Sequence, residues 1–530
     1  MTRAVLGCSV ASMLVLALAA DAHAQVLSFE GEVPEEGDYF VIPFEVPAGI
    51  AEIEIRHDDL SEVNILDWGV IAPSGFRGYG GGNVEPAVLN AEAASRSYLP
   101  GPIEVGTWLV YVGKAKIEER PARYAVEVEL RAEATLAPEP ERAPYAPVAA
   151  LSSEARWYAG DFHVHSRESG DAPVTLEEIA DYAESIGLDF VMLSDHNTVS
   201  QLEHYAALQA AHPDLLFVPG IEVTTYQGHA LSIGGTEWID HRLGYEGRTI
   251  DQVADEVHAD GALFAIAHPS LSIGDACIGC GWMAMLGGDD LDAMEIQTGA
   301  FSVTGSLFFN RTLTRWEDLA AAGHRVVAIG GSDDHRAGTG TGPFDSPIGS
   351  PTTLVFAQEL SASAILEGLR LGRTVIKLES PDDPMIEITS PDLSSGDGVI
   401  ADYVTVRVRV TGAAMGATLQ LVRSGVAGAP IDVVGDPFEH EEIVVAGAGE
   451  EFFRAQLSIG GRPRVVTNHF FVSPATAGGA DGGGMPDAGA ETGGGEGCAC
   501  GVTSTRGSTA GAAFVLLGVL VIVALRRVRR

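Results

Sequence analysis

At 530 residues the chain is too long for a single core, so roughly two to four domains are expected. A hydrophobic content of 46% and an aromatic content of 7% belong to ordinary globular material and exclude a largely disordered chain. The formal net charge of -41, from 73 acids against 32 bases, serves solubility and excludes a nucleic-acid polymer as partner, because a phosphate backbone needs a basic track. A small anion stays compatible, since a local metal charge overrides the global field.

In chain order, the first element is a targeting segment. Arg3 supplies the positive start, residues 10–20 are mostly apolar, and Ala22-His23-Ala24 has the small-x-small form of a cleavage site. Residues 1–24 therefore read as a signal peptide, with the mature chain starting near Gln25 and the protein exported. Cys8 precedes any apolar stretch and does not suit lipid attachment, and the remaining cysteines meet an oxidising compartment.

Residues 25–135 alternate apolar and polar in short runs broken by Gly and Pro, most clearly at 39–42, 51–55, 108–112 and 124–130. They predict an antiparallel β-sandwich of jelly-roll type with no metal or catalytic cluster, an accessory domain. Pro138, Pro140, Pro144 and Pro147 keep 136–152 extended as a linker. From 153 to 378 the pattern changes. Strands at 161–165, 190–193, 215–219, 230–233, 263–267, 294–297 and 326–330 are interspersed with helices at 175–186, 199–211, 250–260, 311–322 and 361–371. Repeated βα units imply a parallel sheet, and this many suggest a closed or distorted barrel.

Residues 379–474 return to strands, at 385–388, 404–410, 419–422 and 452–457, and predict a second small sandwich. The Gly-rich stretch 475–497 cannot bury a core and reads as a flexible stalk. Cys498 and Cys500 follow, then an apolar run at 509–525 and the cluster Arg526, Arg527, Arg529 and Arg530. That run sits at the lower end of the ~17–25 residues that span a bilayer, and the arginines would hold its end in the cytoplasm.

The central region carries the chemistry. Asp161-Phe162-His163-Val164-His165 puts two imidazoles on one strand face, because alternate side chains point the same way. Ser194-Asp195-His196, Gly220-Ile221-Glu222 with His229 shortly after, Ala267-His268-Pro269 and Gly331-Ser332-Asp333-Asp334-His335 each follow an apolar strand. In a βα barrel all of them converge on the C-terminal mouth, where active sites form. Neutral imidazoles with carboxylates are ligands for Zn, Mn or Fe. His204, His212, His258 and His324 fall on or at the ends of predicted helices and read as solvated or capping residues. Cys277-Ile278-Gly279-Cys280 has no second C-x-x-C partner and reads as a local disulfide shaping a loop near the site. Trp282, Tyr226, Phe301 and Phe308 either line an aromatic pocket or pack the core, and Arg336 is either an anion contact or a solvated arginine.

With DFHVHS, SDH, GIE, AHP and GSDDH in that order, residues 157–377 resemble the PHP family, named for polymerase and histidinol phosphatase domains. The Trp-Tyr-Ala-Gly before DFHVHS, the short step from Glu222 to His229 and the two β-regions look like its carbaryl-hydrolase-like CehA/McbA branch. The resemblance implies a multidomain chain, with a central α/β distorted (βα)7-type PHP barrel flanked by two all-β sandwiches. It also implies two or three divalent metal ions. By motif, His163, His165, Glu222 and Asp333 would hold the first, and Glu222 would bridge to a second completed by His229 and His268. Asp171, His196 and His335 would form the third site. The run Ser-Arg-Glu-Ser-Gly-Asp after His165 leaves Glu168 as the alternative to Asp171. Asp334 and Asp195 would be orienting or loop residues rather than ligands. The linker, cysteine, apolar run and arginine cluster at 498–530 resemble the myxobacterial MYXO-CTERM sorting tail, which implies retention at the cell surface.

The implied activity is hydrolysis of a small ester by a metal-bridged hydroxide, with Glu222, Asp333, His335 and Asp171 as the catalytic group. The family favours phosphoesters and the branch carbamate or carboxyl esters. The alternative is a surface binding protein whose barrel is catalytically inactive and whose β-domains do the recognising.

Overall fold

The computed structural model describes residues 25–475 except 343–344 and 392. The expected signal peptide, and the stalk and sorting tail from 476 onward, lie outside the described residues. Among the described residues no helix is long and apolar enough to cross a membrane.

Alternation of apolar and polar side chains makes the N-terminal region two four-stranded antiparallel sheets. One orders Gln25–Glu32, Arg123–Arg131, Glu52–Asp58 and Ala87–Asn90; the other orders Tyr39–Val46, Gly106–Lys116, Ile65–Ala72 and Gly75–Gly81. Ile53, Ile55, Val128, Trp108 and Val112 meet between them in one core. Trp108 is wholly buried, and its indole N–H donates to the Glu104 carbonyl at 2.9 Å.

In the central region Leu216–Val218, Phe190–Leu193 and Arg156–Val164 are parallel neighbours. Phe190–Leu193 and Leu216–Val218 are buried at every residue, as strands covered on both faces must be. Helix Leu176–Ser185 starts where Thr175 and Glu178 cap each other reciprocally, and its face of Leu176, Ile179, Ala180 and Ala183 packs down as a cover. A second sheet orders Gly220–Thr225, Gly228–Ile233, Leu263–Ile266, Ala293–Thr298 and Val327–Gly331.

The closed barrel expected from the repeated βα pattern is not found. The strands form these two sheets, which are joined by the isolated bridges His196↔Glu222 and Val164↔Asp334 rather than by a continuous ladder among the described residues. Nor is the sheet all parallel: only Tyr226 and Gln227 separate Gly220–Thr225 from Gly228–Ile233, too few for a parallel crossover, so the pair is an antiparallel hairpin. Thr352–Ala357 and Thr374–Lys377 are likewise antiparallel and continue the first sheet beyond Arg156–Val164. The helix predicted at 311–322 begins earlier, running Phe301–Ala321 across a break at Gly305 (φ 76°).

The first sheet runs on into the C-terminal region, since Thr374–Lys377 pairs with Arg462–Thr467, which pairs with Glu451–Ile459. A three-stranded sheet of Met385–Ile388, Tyr403–Thr411 and Phe438–Val445 packs over this extension. Leu354 and Val375 of the central strands lie in the same core.

Candidate metal centre

The residues singled out by motif come from separate strand ends and meet at one mouth. His163 and His165 project from the last turn of Arg156–Val164 and the residue after it, both wholly buried. The GSDDH segment lies directly alongside: Asp333 N–H donates to the His163 carbonyl and His165 N–H to the Asp334 carbonyl, each at 2.9 Å. Ser194-Asp195-His196 and Glu222 are tied in the same way, with Glu222 N–H on the Ser194 carbonyl (3.1 Å) and Asn197 N–H on the Glu222 carbonyl (3.0 Å).

Glu222 is the hub. Its carboxylate lies 3.4 Å from His163 Nε2, 3.5 Å from His165 Nε2, 2.8 Å from His196 Nδ1, 3.1 Å from His229 Nδ1 and 3.0 Å from His268 Nε2. Asp333 Oδ1 reaches His163 Nε2 at 3.3 Å and His165 Nε2 at 3.1 Å. Asp171 Oδ2 is 3.3 Å from both His196 Nε2 and His335 Nε2. Donor atoms within metal-chelating reach form the groups His163/His165/Asp333, His163/Glu222/His268 and His165/His196/His335. Positive φ at His268 (28°) and Asp333 (56°) is strained backbone at two of these residues, a cost that clusters at functional sites.

Whether these residues fit a metal is tested by their unused capacity. His163 Nε2, His165 Nε2 and Glu222 Oε2 are buried and make no well-formed hydrogen bond, although other site atoms crowd them. Buried polar atoms left in that state cost free energy unless something else satisfies them. Burial, with His335 and His196 adding to it, pushes the His165 imidazole down to about 3, whereas at His163, His196, His268 and His335 burial is outweighed by neighbouring carboxylates, which raise them. Burial opposes ionisation of Glu222 as well, but the surrounding imidazoles hold its carboxyl well below the usual range. A divalent ion requires neutral imidazoles and ionised carboxylates, so its binding would displace the protons that the carboxylates hold on the raised imidazoles. The donor set fits.

A shell of partners aims these donors. Glu295 was not anticipated from the sequence: its carboxylate takes His163 Nδ1 (2.8 Å), His268 N–H (2.7 Å) and the Thr298 hydroxyl (2.6 Å). It pins His163 so that Nε2 faces the centre. Gly331 makes room for it, since a Cβ there would sit 2.3 Å from Glu295 Oε1 and 2.4 Å from His163 Cβ. The Cys277 and Cys280 sulfurs are bonded, and the loop they close presents the Ile278 carbonyl to His229 Nε2 and the Cys280 carbonyl to His268 Nδ1, both at 3.1 Å. Thr224, also unforeseen, meets His196 Nδ1 at 2.5 Å.

Asp195 and Asp334 point away from the donors. Asp195 receives the Ser166 N–H and hydroxyl, both at 2.7 Å, and burial still pushes its carboxyl up to about 7. Asp334 caps the Arg336 and Gly338 amides. Glu168, the alternative to Asp171, is turned away as well, accepting the Ser97 N–H and the Ser200 hydroxyl at 2.8 Å each. His212, His258 and His324 pair with Glu184, Asp292 and Asp289, and His204 lies 4.0 Å from Glu168.

A cavity of about 660 Å³ opens over the donors. Tyr226 and the exposed Arg336 line it, whereas Trp282 and Phe301 are core residues. Part of the wall comes from the N-terminal sandwich, through Asp67, Tyr79 and Asn83.

No family model matches the chain, and no curated protein does. Among solved structures it is similar to a two-domain Bacteroides vulgatus protein containing a predicted PHP-like metal-dependent phosphoesterase. That match has 16% identity over 63% of this chain and 98% of the other, with a TM-score of 0.33. A Bifidobacterium adolescentis protein, also named for metal-dependent phosphoesterase activity, matches at 16% identity over 34% of this chain and 89% of its own, with a TM-score of 0.24. At those scores the likeness adds nothing to the geometry of the site.

Proposed function

We propose that this chain is a metal-dependent hydrolase of small esters, working at the mouth around Glu222. The observation that carries this reading is the pair of buried, unsatisfied Nε2 atoms of His163 and His165 facing the carboxylates of Glu222 and Asp333. His163, His165, Glu222 and Asp333 would hold one divalent ion, and Glu222, His229 and His268 a second. Asp171, His196 and His335 would hold a third or handle protons. Divalent ions bound there would supply Lewis acidity and a water acidic enough to lose its proton near neutral pH.

The chain's own residues do the rest. Glu222 ties the inner donor groups together, because one carboxylate approaches five imidazoles. Asp333, Asp171 and His335 stand nearer the solvent side, where a proton can be taken up or returned as the ester bond breaks. The cavity volume suits a small molecule rather than a polymer. Among the described residues Arg336 is the one guanidinium lining it, with several carboxylates, which favours a substrate of low negative charge. A phosphomonoester, a phosphodiester and a carbamate or carboxyl ester all fit that limit. Export and retention at the cell surface complete the proposal, resting on segments outside the described residues.

The test is turnover by the purified full chain on p-nitrophenyl phosphate, a phosphodiester analogue and a naphthyl carbamate, wild type beside Glu222→Ala and His268→Ala. Turnover of at least one substrate, lost in both variants, is the expected result. Turnover that survives in both would place the chemistry elsewhere.

A further inference from the structure

Building on the metal-centre reading, we propose that the N-terminal sandwich is a working part of that centre. Its Arg96 and Ser97 clamp segment 166–172 and thereby hold Asp171 against His196 and His335. Arg96 is on this account a positioning residue.

Within the central region Asp171 is met at its side chain, 3.3 Å from His196 Nε2 and from His335 Nε2. Segment 166–172 has one 3-10 turn, Arg167–Ser169, and the Asp171 side chain is 52% exposed. Central-region ties run from Arg167 N–H to the Val174 carbonyl, from Ser169 N–H to the Ser166 carbonyl and from His196 N–H to Ser169 Oγ (3.2 Å), and none of these uses the carbonyls of Arg167, Gly170 or Ala172. One guanidinium takes them. Arg96 Nη1 donates to the carbonyls of Arg167 (3.2 Å) and Ala172 (3.1 Å), and Nη2 to that of Gly170 (3.1 Å). Those acceptors bracket Asp171 on both sides. Glu85 fixes the fork from behind, at 2.7 Å from Nε.

Two further contacts converge on the same segment. Ser97 N–H donates to Glu168 at 2.8 Å, and Ser97 itself is held at φ 71°, strained backbone at the point of contact. Gly170 lies at φ 87°, and a Cβ there would meet the Gly80 carbonyl at 2.8 Å, so the sandwich loop packs against the bare backbone. A planar fork with several donors spans such a set of carbonyls; a lysine ammonium is a single point and cannot.

The test uses the full chain as wild type, Arg96→Ala, Arg96→Lys and Arg131→Ala. Arg131→Ala is the control: it removes a guanidinium that pairs with Glu52, Glu54 and Glu129 in the same sandwich without touching segment 166–172. Hydrogen exchange is followed on metal-free protein, and Zn and Mn binding by titration. Arg96→Ala should speed exchange at amides 167–172 and weaken the last ion to bind by about 10–100-fold, as loss of a ligand-orienting group does. The more tightly bound ions should keep their affinity, Arg96→Lys should fall between, and Arg131→Ala should leave exchange and affinity at the wild-type level. Unchanged exchange in Arg96→Ala, or an equal weakening in Arg131→Ala, overturns the clamp. Faster exchange in Arg96→Ala, with a wild type that retains no ion, supports the clamp and overturns only the metal-centre reading.

Discussion

The two β-regions make an instructive pair. In sequence both are runs of alternating strands without a ligand cluster, and both predict a small sandwich. In the structure they relate to the central region in opposite ways. The C-terminal strands extend its first sheet edge to edge, through Thr374–Lys377 and Arg462–Thr467, and share its core at Leu354 and Val375. There they add stability, as where His469 stacks on Trp316 with ring centroids 3.6 Å apart. Among the described residues the N-terminal sandwich pairs no strand with the central sheets. It docks through side chains and loops, with Asp67 on Tyr226, Phe76 on Trp238 and Arg96 on segment 166–172, and these bring it to the mouth. Backbone pairing builds scaffold; side-chain docking of loops builds a wall.

Four substitutions sharpen that contrast. The largest effect belongs to the centre itself: Glu222→Ala should lower turnover by about 10²–10³-fold, the range for removing one group that stabilises the transition state. If a variant of either β-region matched that loss while its chain stayed folded, the division of labour would be wrong. Glu295→Gln comes next. It keeps the shape but weakens the hold on His163, and should cost about 10–100-fold in metal affinity, read by competition with a chelator.

The third effect is on stability and belongs to the N-terminal sandwich. Burial pushes the Glu52 carboxyl up, but donors from Leu136, Thr135, Arg131 and Asn90 more than offset it and hold it down to about 2. A depressed carboxyl stabilises the fold above its unfolded value, here the ordinary carboxylate value of 4.5, and that contribution is lost as pH falls towards 2. Glu52→Gln should therefore destabilise the sandwich at neutral pH by about 1–3 kcal/mol and flatten the loss of stability between those pH values. A melting curve whose pH dependence matched wild type would contradict it. The smallest effect is expected at Arg407→Ala in the C-terminal region, where an exposed pair with Glu441 is removed, worth about 0–1 kcal/mol with turnover unchanged.

The convergence of these side chains was legible because they follow apolar strands and because alternation puts His163 and His165 on one face. Glu295 was not. It is a lone acid in the buried strand Ala293–Thr298, and only the approach of His163 from another sheet gives it a role. The choice between Glu168 and Asp171 was also beyond local spacing. It turns on Ser97, 71 residues away, which takes Glu168 into the contact between the two regions. The all-parallel sheet failed for a reason that the sequence does contain. The two-residue link of Tyr226 and Gln227 allows a hairpin and forbids a crossover, but the count of βα units outweighed it. Which β-region would reach the mouth depends on docking between surfaces, and no period within one strand encodes that.

The most direct measurement is the metal content of the purified full chain after dialysis against Zn or Mn, wild type beside Glu222→Ala. About two or three ions per wild-type chain are expected, with a loss of at least one in the variant. A wild type that retains no more metal than Glu222→Ala would contradict the account at its centre.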